Sequence, residues 1–147
     1  MTRWLTADEE QAWRAVRRFL TVLPSRLARD LNQLGLSSAD YEVLSTLSEQ
    51  PDHRWGLRDF AVKMQWSRSR LSHHAGRMEA RGLITREPDP ADARGSIYHL
   101  TDAGLELLRQ AAPGHLDSVR ERFVDHLTPA ELATLGRLAE RIADLPD

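Results

Sequence analysis

Residues suited to gripping a nucleic acid crowd one short stretch of this chain: Ser67, Arg68, Ser69, Arg70, Ser72 and His73, followed by Arg77. On a helix, Arg70, His73 and Arg77 share a face, because positions three, four and seven apart line up. Arginine can fork onto guanine O6 and N7 or onto a phosphate, while serine and histidine reach base edges or phosphate oxygens. A second group, Arg86, Asp92 and Arg94, follows in a segment that reads as a hairpin with an arginine near its tip. A narrow minor groove has an enhanced negative potential that attracts such an arginine. A basic helix beside an Arg-tipped ribbon suits double-stranded DNA. Arg94 has a plainer alternative, a surface ion pair with Asp92. Arg86, at the base of the hairpin, is placed to meet a phosphate or a neighbouring acid.

Other chemistries find little support. The chain has no cysteine, so disulfides, thiolate metal sites and thiol redox sensing are excluded. His73 and His74 are adjacent and diverge on a helix, and His115 and His126 are distant in sequence, so no metal site is expected. There is no phosphate-binding glycine loop, no supported Ser-His-Asp arrangement and no paired carboxylates in a plausible cleft. The expectation is a protein without catalytic residues, metal or cofactor. His74 stands on the apolar side of its helix, where it serves either as a hydrogen-bonded core residue or as a pH- or ligand-sensitive group.

These residues need elements to present them. Leu57 to Lys63 predicts a helix with Phe60, Ala61 and Met64 turned inward. Ser67 predicts the cap of a following helix that ends at Gly82, with Leu71, His74, Ala75 and Met78 buried and Trp66 to Leu71 at staple spacing. Arg70 occupies the third helical position, where a capping box would place Glu. A phosphate meeting the helix N-terminus would make that arrangement sensible. Leu83 to Arg86 and Ile97 to Leu100 predict two short strands around a long tip ending Asp92-Ala93-Arg94-Gly95.

Upstream, apolar residues at helical spacing predict a long first helix from Asp8 to Gln33, kinked or broken at Pro24 and ended by Gly35. Ser38 or Asp40 is the expected cap of a second helix carrying Tyr41, Val43, Leu44 and Leu47. Downstream, Thr101-Asp102-Ala103-Gly104 opens a fifth helix that Pro113-Gly114 should interrupt. Thr128-Pro129-Ala130-Glu131 starts a last helix with Thr as cap, Pro at the first position and Glu at the third. Both ends of the chain are therefore amphipathic helices. Their apolar stripes pack either within one chain or against a second copy, and the homodimer is the expected solution.

At 147 residues the chain fits one domain of ordinary size. The formal net charge of −2 looks unfavourable for a DNA binder. The charge is uneven, however: residues 54–99 carry nine basic and five acidic groups, and both flanks are net acidic. Screening removes contributions beyond about 8–10 Å, so the local field decides. Every basic residue except Lys63 is arginine, a usage that coding bias also explains. No apolar run is long enough for a membrane span, and the N-terminus lacks the apolar core of a signal peptide, so a cytoplasmic protein without membrane association is expected.

The run Phe60-Ala61, Met64, Ser67 to Ser72, Met78-Glu79, Arg81 to Ile84, Arg86 to Asp89, Asp92, Arg94 and Leu100 to Gly104 resembles the MarR family of bacterial transcriptional regulators. The similarity extends to the first helix, to Ser38-x-Asp40-Tyr41-x-Val43-Leu44 and to Leu127-Thr128-Pro129-x-Glu131. It implies a mainly α protein: a single domain over 1–147, with a winged helix-turn-helix lobe and two-stranded β wing at 37–100, and dimerisation helices at 1–36 and 101–147. It implies a homodimer that binds a pseudo-palindromic operator, acting as a repressor and released by a small aromatic or anionic effector. In the family pattern the wing arginine, here Arg94, enters the minor groove and the aspartate, here Asp92, holds its guanidinium. The resemblance also implies an effector pocket near Trp13, Arg17 and Tyr41, although ordinary core and dimer packing is the stronger explanation of the two aromatics and an exposed helix surface the default for Arg17. His74 departs from the aliphatic residue usual in the family. Two rival readings stay open: an interaction module of the same fold that has lost DNA binding, and a repressor that answers to no ligand.

Overall fold

The computed structural model describes residues 1–147. In chain order the elements are α1 (Ala7–Gln33), α2 (Ser38–Ser48), β1 (Arg54–Gly56), α3 (Leu57–Met64), α4 (Arg68–Ala80), β2 (Ile84–Asp89), β3 (Asp92–Leu100), α5 (Asp102–Arg122), a 3-10 turn (Val124–His126) and α6 (Pro129–Ala143). No helix is long and apolar enough to cross a membrane. Two compact units emerge, one formed by residues 31–114 and the other by residues 1–30 with 115–147.

The first unit holds the hydrophobic core. Val43, Leu44, Leu47, Phe60, Leu71, Ala75, Met78 and Tyr98 are fully buried, and Leu108 and Ala111 of α5 join the same cluster. Leu31, at the last turns of α1, is also buried. The inward residues expected on α3 and α4, His74 among them, are all buried. Trp55 stacks on Phe60 with ring centroids 5.5 Å apart, and Phe60 meets Tyr98 edge-on. Gly104 lets α5 approach the wing base: a Cβ there would fall 2.1 Å from the Leu83 carbonyl oxygen.

Several boundaries differ from expectation. The cap of α2 is Ser37, whose hydroxyl accepts from Asp40 N while the Asp40 carboxylate accepts from Ser37 N. Ser38 and Asp40 are therefore the first and third helical positions of a capping box rather than caps. Helix α1 continues through Pro24, and α5 continues through Pro113. Proline removes one backbone donor and crowds the preceding turn, yet flanking turns can hold a helix together around it. Gly35, with φ +83°, does end the first helical segment.

The wing also differs. Strand β1 adds to the two strands predicted; it pairs antiparallel with β3, giving a three-stranded sheet in the order β1-β3-β2. Strands β2 and β3 run further than predicted and pair out to Asp89 and Asp92, so the tip is only Pro90-Ala91. The aspartates explain the tightening. Asp89 Oδ1 accepts from Ala91 N at 2.8 Å, and Asp92 Oδ1 accepts from Arg94 N at 3.0 Å. Such side-chain turns replace backbone ladder bonds at a bend. Pro88 sits in edge strand β2, beside a register shift, where a missing N–H is tolerated.

The second unit consists of helical stretches. Its polar contacts centre on Asp30, which accepts from Ser118 Oγ and from Arg122 Nε at 3.1 Å. Arg122 and Ser118 together hold the Asp30 carboxyl below its usual range. Phe19 and Phe123 pack with centroids 5.8 Å apart. α6 begins as predicted, with Thr128 and Glu131 forming a capping box and Pro129 at its start.

Candidate nucleic-acid interface

Helix α4 owes its placement to its buried stripe, and its start to Ser67, whose hydroxyl accepts from Arg70 N at 3.1 Å. There is no acidic residue in its first turn. The backbone N–H groups at that end and their dipole are therefore not offset by a local carboxylate. Arg68, Ser69, Arg70, His73 and Arg77 are exposed and Ser72 is half-buried. The structure thus gathers the seven expected residues on and just before α4, within the same unit as the wing.

The arginines of this surface have different partners. Arg68 forms no ion pair. The Arg70 guanidinium lies over the Trp66 ring, with Cζ 3.8 Å from its centroid. Arg77 Nη2 lies 2.9 Å from His74 Nδ1. Arg86 lies beside Glu79, whose Oε2 accepts from the Arg86 backbone N at 3.1 Å and whose Oε1 is 3.7 Å from its guanidinium. That is the neighbouring acid anticipated for Arg86. At the wing, Asp92 holds the backbone of Arg94 rather than its guanidinium, and it packs against Gly95. The Arg94 side chain is exposed and forms no ion pair, so the simple Asp92–Arg94 surface bridge is not formed.

Beneath the exposed face lies a polar cluster that sequence reasoning did not assemble. His74 Nε2 lies 2.9 Å from Asp40 Oδ1, a close approach whose angle is poor for a directed hydrogen bond. Asp40 Oδ2 accepts from Arg81 Nη1 at 3.0 Å. Burial pushes the Asp40 carboxyl up, but the Ser37 N–H and the Arg81 guanidinium outweigh it and bring it below its usual value. Burial pushes His74 down; Asp40 opposes this and Arg77 reinforces it, so the imidazole sits below its ordinary value. The available signals were the spacing of Trp66 to Arg70 and of His74 to Arg77. Asp40 is remote in sequence, and nothing local marks it as their companion.

The anticipated effector residues fall in different units. Trp13 and Arg17 are exposed on α1, in the unit of residues 1–30 and 115–147. Tyr41 belongs to the other unit, where it packs against the core and burial raises its hydroxyl pKa. An open cleft of about 580 Å³ in the unit of residues 1–30 and 115–147 is lined by Arg14, Arg18, Arg26 and Arg122 around Phe19 and Val22. Neither Trp13 nor Arg17 lines it.

A helix-turn-helix followed by an Arg-bearing wing has counterparts among known proteins. The sequence model of the MarR family matches residues 36–96. The transcriptional regulator HosA of Escherichia coli O111:H- is 32% identical over 108 residues, covering 73% of this chain and 77% of HosA. The crystal structure of AbsC, a MarR family transcriptional regulator from Streptomyces coelicolor, superposes with a TM-score of 0.90 at 42% identity, over 97% of both chains. The chain belongs to the MarR family. A second solved relative, Sco3205 from Streptomyces coelicolor in complex with DNA, matches this MarR-family protein with a TM-score of 0.92 at 39% identity, over 98% of this chain and 91% of that one. This MarR-family protein is a DNA-binding transcriptional regulator with a winged-helix fold, and not an enzyme.

Proposed function

We propose that the protein works as a homodimeric repressor that grips a pseudo-palindromic operator with two copies of α4 and two wings. The observation that carries the DNA geometry is the unpaired Arg68 and Arg94 beside the half-engaged Arg70 and Arg77, all in one winged unit. Arg70 and Arg77, with Ser67, Ser69, Ser72 and His73, face the major groove; Arg94 enters the minor groove; Arg68 and Arg86 lie near phosphates. Two α4 helices one helical turn of DNA apart, about 34–36 Å, would set the half-site spacing.

The dimer is supported by the unit of residues 1–30 and 115–147. Trp4, Leu5, Trp13, Leu20, Leu116, Ile142 and Leu145 are each more than half exposed. No residue of α6 is buried within one chain, although Leu132, Leu135, Leu138 and Ile142 make a helical apolar stripe. An apolar face of that extent is a mark of an interface.

A small aromatic or anionic effector releases the operator in this reading. The Arg-flanked cleft beside Phe19 offers the matching chemistry, and Trp13 and Arg17 lie one helical turn apart on the same helix. Such a ligand acts only if it binds the DNA-incompetent state better.

The test is fluorescence anisotropy with duplex from upstream of the gene, against random duplex, across a salt series. Specific binding at two subunits per site, with log Kd steep in log salt, supports the reading. Equal affinity for random duplex at every salt concentration counts against it.

A further inference from the structure

We propose that His74 is a positioning residue for DNA reading: it ties Arg77 of α4 to Asp40 of α2 and so sets how that arginine is presented to the operator. The inference rests on the assignment of α4 to DNA made above.

The atoms allow only one proton arrangement at neutral pH. Arg77 is a permanent cation and can only donate. Its Nη2 lies 2.9 Å from His74 Nδ1, so Nδ1 must be the acceptor. The proton of the neutral imidazole is then on Nε2, which lies 2.9 Å from Asp40 Oδ1. Asp40 is held in turn by Arg81 Nη1 and by the Ser37 backbone N–H. The result is a chain of contacts from the end of α4 through α2 and back to the exposed side of α4: Arg81 donates to Asp40, Asp40 Oδ1 lies 2.9 Å from His74 Nε2 as a close electrostatic approach, and His74 Nδ1 accepts from Arg77. Trp66 closes the other side: its ring meets His74 edge-on with centroids 5.8 Å apart, and the same ring carries Arg70. A long arginine side chain loses rotamer freedom when it binds, and a preformed contact reduces that cost. His74 is 7% exposed and does not itself reach DNA.

The link also carries a pH signature. The charged groups acting on the ring are Asp40 from α2 and Arg77 and Arg70 from α4. Protonation of Nδ1 would replace the acceptor with a donor facing a guanidinium, and Arg77 would be released.

The experiment uses the full-length protein and the tightest duplex recovered by selection from a randomised library. Affinities are measured for wild type, His74→Asn, His74→Gln, Arg77→Ala and the double variant His74→Gln/Arg77→Ala, with urea unfolding of each as the stability control. The Asn side-chain oxygen falls near the Nδ1 position and keeps an acceptor for Arg77. Gln places its polar group near Nε2 and does not. His74→Gln should weaken specific binding by about tenfold, the scale of one lost charged contact, while His74→Asn stays close to wild type. In the Arg77→Ala background, His74→Gln should add nothing, since it acts through the missing arginine. Wild-type specific affinity should fall on acidification below the ordinary histidine value of about 6.5, and His74→Asn should lack that component.

Equal losses in the Asn and Gln variants overturn the proposal, as do losses that multiply in the double variant or that simply follow unfolding stability. A selected duplex bound equally well by Arg77→Ala overturns it while leaving the regulator reading intact. Failure to select any preferred duplex overturns both.

Discussion

At Gly104 the chain has no room for a side chain. A Cβ there would meet both the Leu83 carbonyl oxygen and, at 2.8 Å, Leu100 Cδ1. Gly104→Ala should therefore force backbone apart at the wing base and cost about 1–3 kcal/mol, read by urea unfolding. Asp40 makes a different kind of demand. Its buried carboxylate serves Ser37, Arg81 and His74 together, so Asp40→Ala leaves several polar groups without a partner, at about 1–3 kcal/mol. Because the folded-state pKa of Asp40 is depressed, its contribution is full above the unfolded value of about 3.9 and drains as pH falls through the lower folded value. The stability gap between wild type and Asp40→Ala should narrow on acidification over that range. A gap that stays constant down to low pH would show that the carboxylate charge is not what stabilises. Arg94 is the third residue with a separable signature. Its side chain forms no ion pair, so Arg94→Ala should leave unfolding unchanged. It should weaken operator binding and reduce the salt slope by about one.

Elements translate these residues into a surface. The wing is tight because two aspartates each take a backbone N–H near the turn, and because β1 adds a third strand beside β3. Asp92→Ala should loosen the tip without touching the core, visible as faster amide exchange at Arg94. Protection equal to wild type would mean that strand pairing alone holds the tip. Helix α4 presents the opposite design to α2 and α6. Those two close their N-termini with reciprocal boxes using Asp40 and Glu131, whereas α4 has Ser67 alone and Arg70 at the third position. The open end is consistent with a helix whose N-terminal amides meet an anion from outside the chain.

At the scale of the molecule, the fully buried hydrophobic core is confined to residues 31–114, and outside it Trp4, Leu5, Trp13, Leu20, Leu116, Ile142 and Leu145 stay more than half exposed in one chain. Ile142 is 64% exposed on α6 and contributes nothing to that core. For the homodimer proposed above, Ile142→Asp should shift the protein from dimer to monomer in sedimentation while its circular dichroism stays near wild type. Operator affinity should fall with it, because a single α4 contacts one half-site. Sedimentation as an unchanged dimer would place the interface elsewhere.

The sequence by itself determined the local features of this protein. The caps Ser67 and Thr128, the buried stripe of α4 and the basic face opposite it depend on spacing within one or two helical turns, which a linear reading captures. It also carried the family resemblance and the exclusion of thiol chemistry. Tertiary structure decided what depends on distant partners. Pro24 and Pro113 lie inside continuous helices because neighbouring turns outweigh one missing donor. The three residues Arg54 to Gly56 become a strand only because β3 is there to pair with them. His74 is a buried, hydrogen-bonded residue of α4, one of its two expected readings, but that Asp40, far away in sequence, folds against it was decided by the tertiary structure: hydrogen bonds and ion pairs are short-ranged, so their partners are known only once the chain has brought them within about 3 Å.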